Sequence, residues 1–62
     1  MERQELEQMY GVGNVYDTKE MTKTFTVHSF SAPFIIVTNK DGERGTMEFQ
    51  HNPRFYFSFV KS

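Results

Sequence analysis

The side chains able to do acid–base or nucleophilic chemistry are few: His28, His51, Ser29, Ser31, Ser58 and scattered carboxylates. Such chemistry needs a positioned pair of groups, usually inside a pocket. No Gly-x-Ser-x-Gly elbow or comparable catalytic spacing occurs in the chain. His28 and Ser29 are neighbours on an expected strand, where adjacent side chains point to opposite faces. A domain of about four strands also offers little volume for a substrate pocket. The expectation is therefore a protein that is not an enzyme.

Metal chemistry has a similarly thin basis. His28, His51 and Glu48 are the one set that could be assembled, whereas zinc sites use three or four ligands at short spacings. Histidines on the surface or at the edge of a core account for both His residues, and no metal or other cofactor is expected. Gly11-Val12-Gly13-Asn14 has the flavour of a phosphate loop, but no strand precedes it and no lysine-bearing motif follows. A helix stop explains it.

Binding chemistry is better represented. Seven Phe and three Tyr make up 16% of the 62 residues, and each aromatic ring can bury a large area. Arg54-Phe55-Tyr56-Phe57-Ser58-Phe59-Val60 is an aromatic strand flanked by Arg54 and Lys61. Exposed strand aromatics with nearby cations can stack bases and hold phosphates. The segment loosely resembles the RNA-recognition signature, in which a basic residue precedes alternating aromatics. It departs where that signature wants small residues, since Tyr56 and Phe57 are bulky. Alternation assigns Phe55, Phe57 and Phe59 to a core and leaves Tyr56, on the opposite face, as the candidate stacking platform. Asp41-Gly42 also resembles the opening of an Sm-like strand, but Gly45 falls too early for that pattern.

The elements that must position these residues read as follows. Residues 2–10 form a short helix, with Leu6, Met9 and Tyr10 on one face and Gly11 and Gly13 as its stop. About nine residues would not hold a helix in water alone, so this one must dock on its own sheet or on a partner. Residues 11–21 are a connector anchored by Val12, Val15 and Tyr16, with Asp17 or Thr18 placed to cap a turn through Met21. From Thr22 onward the chain reads as β: strands Thr22–Phe30, Phe34–Asn39, Arg44–Gln50 and Arg54–Val60. Asp41-Gly42 predicts a two-residue hairpin that pairs Lys40 with Glu43, Ile36 with Met47 and Phe34 with Phe49. A three-residue loop at 51–53 would then pair Phe49 with Phe55 and Met47 with Phe57, matching apolar to apolar.

The fold class expected is mostly β, a small α+β domain over residues 1–62. Residues 1–21 are its helix and connector, and residues 22–62 an antiparallel meander of three or four strands. The sheet would be flat under the helix or curled into an SH3-like half-barrel. A domain this small usually carries staples. With no cysteine, disulfides and thiolate zinc sites are excluded, leaving aromatic packing, self-association or a partner. The longest apolar run, Phe34-Ile35-Ile36-Val37, is far short of a membrane span. The N-terminus lacks the apolar core of a signal peptide, so a cytoplasmic protein is expected.

Net charge is −1, divided as −3 over residues 1–20 and +2 over residues 21–62. Neither part is charged enough to call for a polyanionic partner. The run Thr22-Lys23-Thr24-Phe25 through His28-Ser29-Phe30, with Ala32-Pro33-Phe34, Arg44-Gly45-Thr46 and Pro53-Arg54-Phe55-Tyr56-Phe57, resembles short conserved proteins of cyanobacteria. It covers about two thirds of the chain. That resemblance implies a small regulatory protein rather than an enzyme and assigns no functional residues.

Two functional expectations follow. The first is a non-enzymatic adaptor or regulator that binds a partner protein. Its contacts would come from Arg44, Arg54 and Tyr56, because aromatics and Arg are enriched at interface hot spots. Leu6 and Tyr10 of the helix would serve as a docking element. A chain with so many aromatics and so little area to hide them also has reason to form a homodimer. The alternative is a single-stranded nucleic-acid-binding module built on Tyr56.

Overall fold

Capping boxes start both helices. The structure, a computed structural model, describes residues 1–62. In α1 (Arg3–Tyr10) the Glu2 amide donates to the Glu5 carboxylate at 2.9 Å, and Gly11 ends the helix at φ 102°. In α2 (Thr18–Thr24) the Glu20 amide donates to Asp17 Oδ1 at 2.7 Å while the Asp17 amide donates to Glu20 Oε1 at 3.0 Å. That reciprocal cap carries the helix past the single turn expected to Met21. The first long strand therefore begins at Thr26 rather than Thr22, a local cap having prevailed over the β-propensity of the threonines.

Five strands make one antiparallel sheet: β1 (Val15–Tyr16), β2 (Thr26–Ser31), β3 (Phe34–Thr38), β4 (Arg44–Gln50) and β5 (Phe55–Lys61), in the order β1-β5-β4-β3-β2. The last four are the expected meander. The addition is β1, drawn from the connector, which pairs Val15 with Phe57 and Tyr16 with Tyr56. The sheet stays open, with β1 and β2 at its two edges.

Both hairpin registers differ by one residue from expectation. At the first, Thr38 pairs with Arg44 and Ile35 with Met47. The Asn39 side-chain oxygen accepts from the Asp41 and Glu43 amides at 3.0 and 2.9 Å, and Gly42 sits at φ 80°. An asparagine turn followed by a left-handed glycine lengthens the loop by one residue. It turns Ile35 and Val37, not Phe34 and Ile36, toward the core. At the second, the loop spans residues 51–54, so that Phe49 pairs with Tyr56, Gln50 with Phe55 and Glu48 with Phe57. Tyr56 thus joins the face that alternation had given to Phe55 and Phe57.

Two bulges complete the pattern of faces. Ser58, at φ 59°, lies in the stretch where β5 supplies an extra residue against Met47, and Phe59 returns to the face of Tyr56. His28 is the extra residue of β2, lying between the Val27–Val37 and Ser29–Ile36 pairs.

The sheet consequently has two cores. On one face α2 covers Ile35, Val37, Met47, Phe49 and Tyr56 with Met21 and, just past its end, Phe25. On the other face α1 sets Leu6 against Val15 and Phe57, flanked by Tyr10 and Phe55. Arg3 ties the N-terminal segments together: its guanidinium lies 2.9 Å from Glu20 and donates to the Val15 carbonyl at 3.0 Å.

Candidate functional site

The residues expected to bind a partner are dispersed. Tyr56 is 1% exposed, stacked near Phe49 in the larger core, with its hydroxyl 3.4 Å from both Thr18 Oγ1 and Arg54 Nη1. It cannot offer a stacking platform, because the four-residue loop turns it inward. Leu6 is likewise 1% exposed, held against the chain's own sheet. Tyr10 is half-buried and stacks on Phe57 at 4.9 Å between centroids. As a docking element for an outside partner, the helix face is already occupied.

Arg44 and Arg54 are both exposed but do not share a patch. Arg54 is the last residue of the β4–β5 loop, its guanidinium 5.4 Å above the Phe49 ring and 2.9 Å from His51 Nδ1, on the α2 side. Arg44 opens β4 on the opposite face, where its partner across the ladder is Thr38.

That opposite face is the feature alternation alone did not reveal. α1 packs only on β1 and β5, against Phe57 and its neighbours, so the part formed by β2, β3, β4 and the end of β5 at Val60 has no cover. Its rows across the ladder are Thr26–Thr38–Arg44, then Ser29–Ile36–Thr46–Val60, then Ser31–Phe34–Glu48. Val60 is 59% exposed and Phe34 43%, with Ile36 half-buried between them. Arg44 lies at one end of this surface and Glu48 toward the other, so an apolar strip has a cation and an anion at its ends. The signal in the sequence was the unused apolar set Phe34, Ile36 and Val60, which a one-residue change of register exposes.

Comparisons with protein-family models, curated proteins and solved structures give no match for this chain. The surface must therefore be read from its own chemistry.

The largest cleft, about 440 Å³, opens beside the Ser58 bulge where β1 ends. This volume falls within the usual range of ligand pockets, larger than the expectation for so short a chain. Tyr10, Tyr16, Lys40, Asp41 and Ser58 line it, and no side chain of this set bonds to another of the set. The two histidines lie elsewhere. His28 Nε2 is 2.6 Å from Thr38 Oγ1, and His51 is engaged by Arg54 and by the edge of Phe49. The bulge places His28 on the same face as Ser29, not the opposite one, without forming a hydrogen bond between them. No three His, Asp or Glu side chains converge. Neither helix is long and apolar enough to cross a membrane.

Proposed function

We propose that this chain is a small non-enzymatic adaptor or regulator of the cytoplasm that binds a partner protein across the uncovered face of β2, β3, β4 and the end of β5. The observation that carries the reading is the exposure of Phe34 and Val60 on a sheet face that α1 leaves half covered. Apolar patches rimmed by polar residues mark interaction surfaces. Thr38, Thr46 and Ser29 supply hydroxyls around the strip. Arg44 and Glu48 would set the orientation of a partner presenting an apolar ridge, an acidic group at one end and a basic group at the other.

The test is a tagged pull-down from host lysate treated with nuclease, run with the wild type and with Phe34→Asp and Val60→Asp. Both positions are exposed, so the variants should keep the fold, which circular dichroism verifies. The reading requires a stoichiometric protein retained by the wild type and lost by both variants. Retention by the variants would place the binding surface elsewhere. Capture that disappears with nuclease would favour the nucleic-acid alternative.

A further inference from the structure

Strand β2 ends the sheet, so its outer edge is open along six residues while its inner edge pairs with β3. Val27 and Phe30 lie opposite Val37 and Ile35 and point to the α2 side. Thr26, Ser29 and Ser31 lie opposite Thr38, Ile36 and Phe34 and point to the uncovered side. The bulged residue, His28, reaches Thr38 Oγ1 and so belongs to the uncovered side as well. From Thr26 to Ser31 the side chains run out, in, out, out, in, out. The pattern reads the same from either end. A regular strand has strict alternation, so over six residues its two ends fall on opposite faces. A regular strand matches itself only about an axis through a residue; the bulge moves that axis to the midpoint between His28 and Ser29.

We propose that the protein self-associates through β2, two copies pairing their open edges antiparallel about a two-fold axis between His28 and Ser29. In that register Thr26 faces Ser31 of the second copy, Val27 faces Phe30, and His28 faces Ser29. Every side chain meets one on its own side of the sheet. Phe30 is 59% exposed and Val27 half-buried. Each copy's Phe30 gains an apolar cross-strand partner, and the remaining pairs carry hydroxyls and imidazoles. An isologous contact of this kind is closed by its own symmetry and stops at two copies.

Charge and size argue for a second copy as the occupant. Proteins protect open edges with Lys, Pro, inward charges or bulges; β2 has the His28 bulge but no Lys, Arg, Asp, Glu or Pro. Pairing it with itself therefore brings no like charges together. Six residues span about 20 Å. With a layer of side chains on each face the strip is roughly 20–25 Å tall, burying on the order of 400–500 Å² per copy. The total of roughly 800–1,000 Å² lies below the range of stable specific interfaces and in that of weak, transient ones. The dimer should accordingly be weak and concentration-dependent. It would extend the sheet to ten strands and join the two uncovered faces into one larger platform.

The experiment is sedimentation equilibrium of the wild type, Thr26→Lys and Phe30→Lys from about 5 μM to 1 mM, with circular dichroism to verify folding. The wild type should rise from 7.3 kDa toward twice that mass. Each lysine should raise the dissociation constant at least tenfold. Phe30 also packs edge-on to Phe49 at 5.8 Å, so Thr26→Lys, at an exposed position, is the variant that decides if Phe30→Lys does not fold. A wild type that stays monomeric to 1 mM overturns the proposal, as does a dimer unaffected by Thr26→Lys. A monomer that still captures a protein through Phe34 and Val60 overturns only the dimer and leaves the adaptor reading standing.

Discussion

Leu6→Ala tests whether α1 belongs to this fold or waits for a partner. Leu6 is 1% exposed, in a cluster with only two other fully buried residues, Val15 and Phe57. Removing a buried leucine side chain costs about 2–5 kcal/mol. This small cluster lies under an eight-residue helix that can settle toward the sheet, which puts the cost near the lower end, about 2–3 kcal/mol. At about 0.05–0.15 kcal/mol per residue the whole domain has roughly 3–9 kcal/mol. The loss is therefore a large fraction of the total. At about 4–8 °C per kcal/mol the melting temperature should fall by roughly 10–20 °C. Met9, on the same helix, is 62% exposed, and Met9→Ala should stay within about 0.5 kcal/mol of the wild type. Urea and thermal unfolding followed by circular dichroism measure both. Equal stabilities for the two variants would refute the docking of α1 on β1 and β5.

Three further outcomes are expected. A Cβ at Gly45 would collide with the Val60 carbonyl oxygen and sit 2.9 Å from the Phe59 ring. Gly45→Ala should therefore cost about 1–3 kcal/mol or more by overpacking, and an unchanged urea midpoint would mean that Phe59 does not cover this glycine. Asn39→Ala removes the acceptor for two turn amides and should cost about 1–3 kcal/mol, with loss of the Thr38–Arg44 cross-strand contact in nuclear Overhauser spectra; a retained contact would show that the turn does not depend on this side chain. Glu43 is held below the ordinary carboxylate value by the Lys61 ammonium 2.8 Å away and by the Asn39 amide, while Lys61 is raised by Glu43. The pair's contribution is thus present between the two ordinary values of 4.5 and 10.5, fading as pH falls through the lowered Glu43 value and as it rises through the raised Lys61 value; a stability–pH curve unchanged by Glu43→Gln would remove this pair from the account.

The class of the fold was legible because its signals are local. Gly11 stops α1, Asp17 caps α2, and Asp41-Gly42 and Asn52-Pro53 mark the turns between runs of β-branched and aromatic residues. Each depends on a few neighbouring residues, and each lies where composition placed it. β1 was not legible as a strand. Two residues carry no periodicity, and Val15 and Tyr16 pair with β5 only because α1 and α2 hold the chain beside it.

The faces of the sheet are a different kind of problem. A strand's alternation is strict, so a single residue added to a loop or a ladder inverts everything beyond it. Four such additions occur here: the Asn39 turn, the fourth residue of the 51–54 loop, and the bulges at His28 and Ser58. The first exchanged Phe34 and Ile36 for Ile35 and Val37 in the core. The second put Tyr56 in the larger core and moved Phe55 and Phe57 to the smaller one under α1. Apolar matching could not detect either slip, because β3 and β5 carry apolar side chains on both faces and satisfy both registers. In β5, α1 absorbs the surplus at Phe55 and Phe57, where Leu6 packs, but not at Val60. In β3 nothing in the chain absorbs it. The same ambiguity that hid the register therefore left Phe34, Ile36 and Val60 as the surface with chemistry to spare.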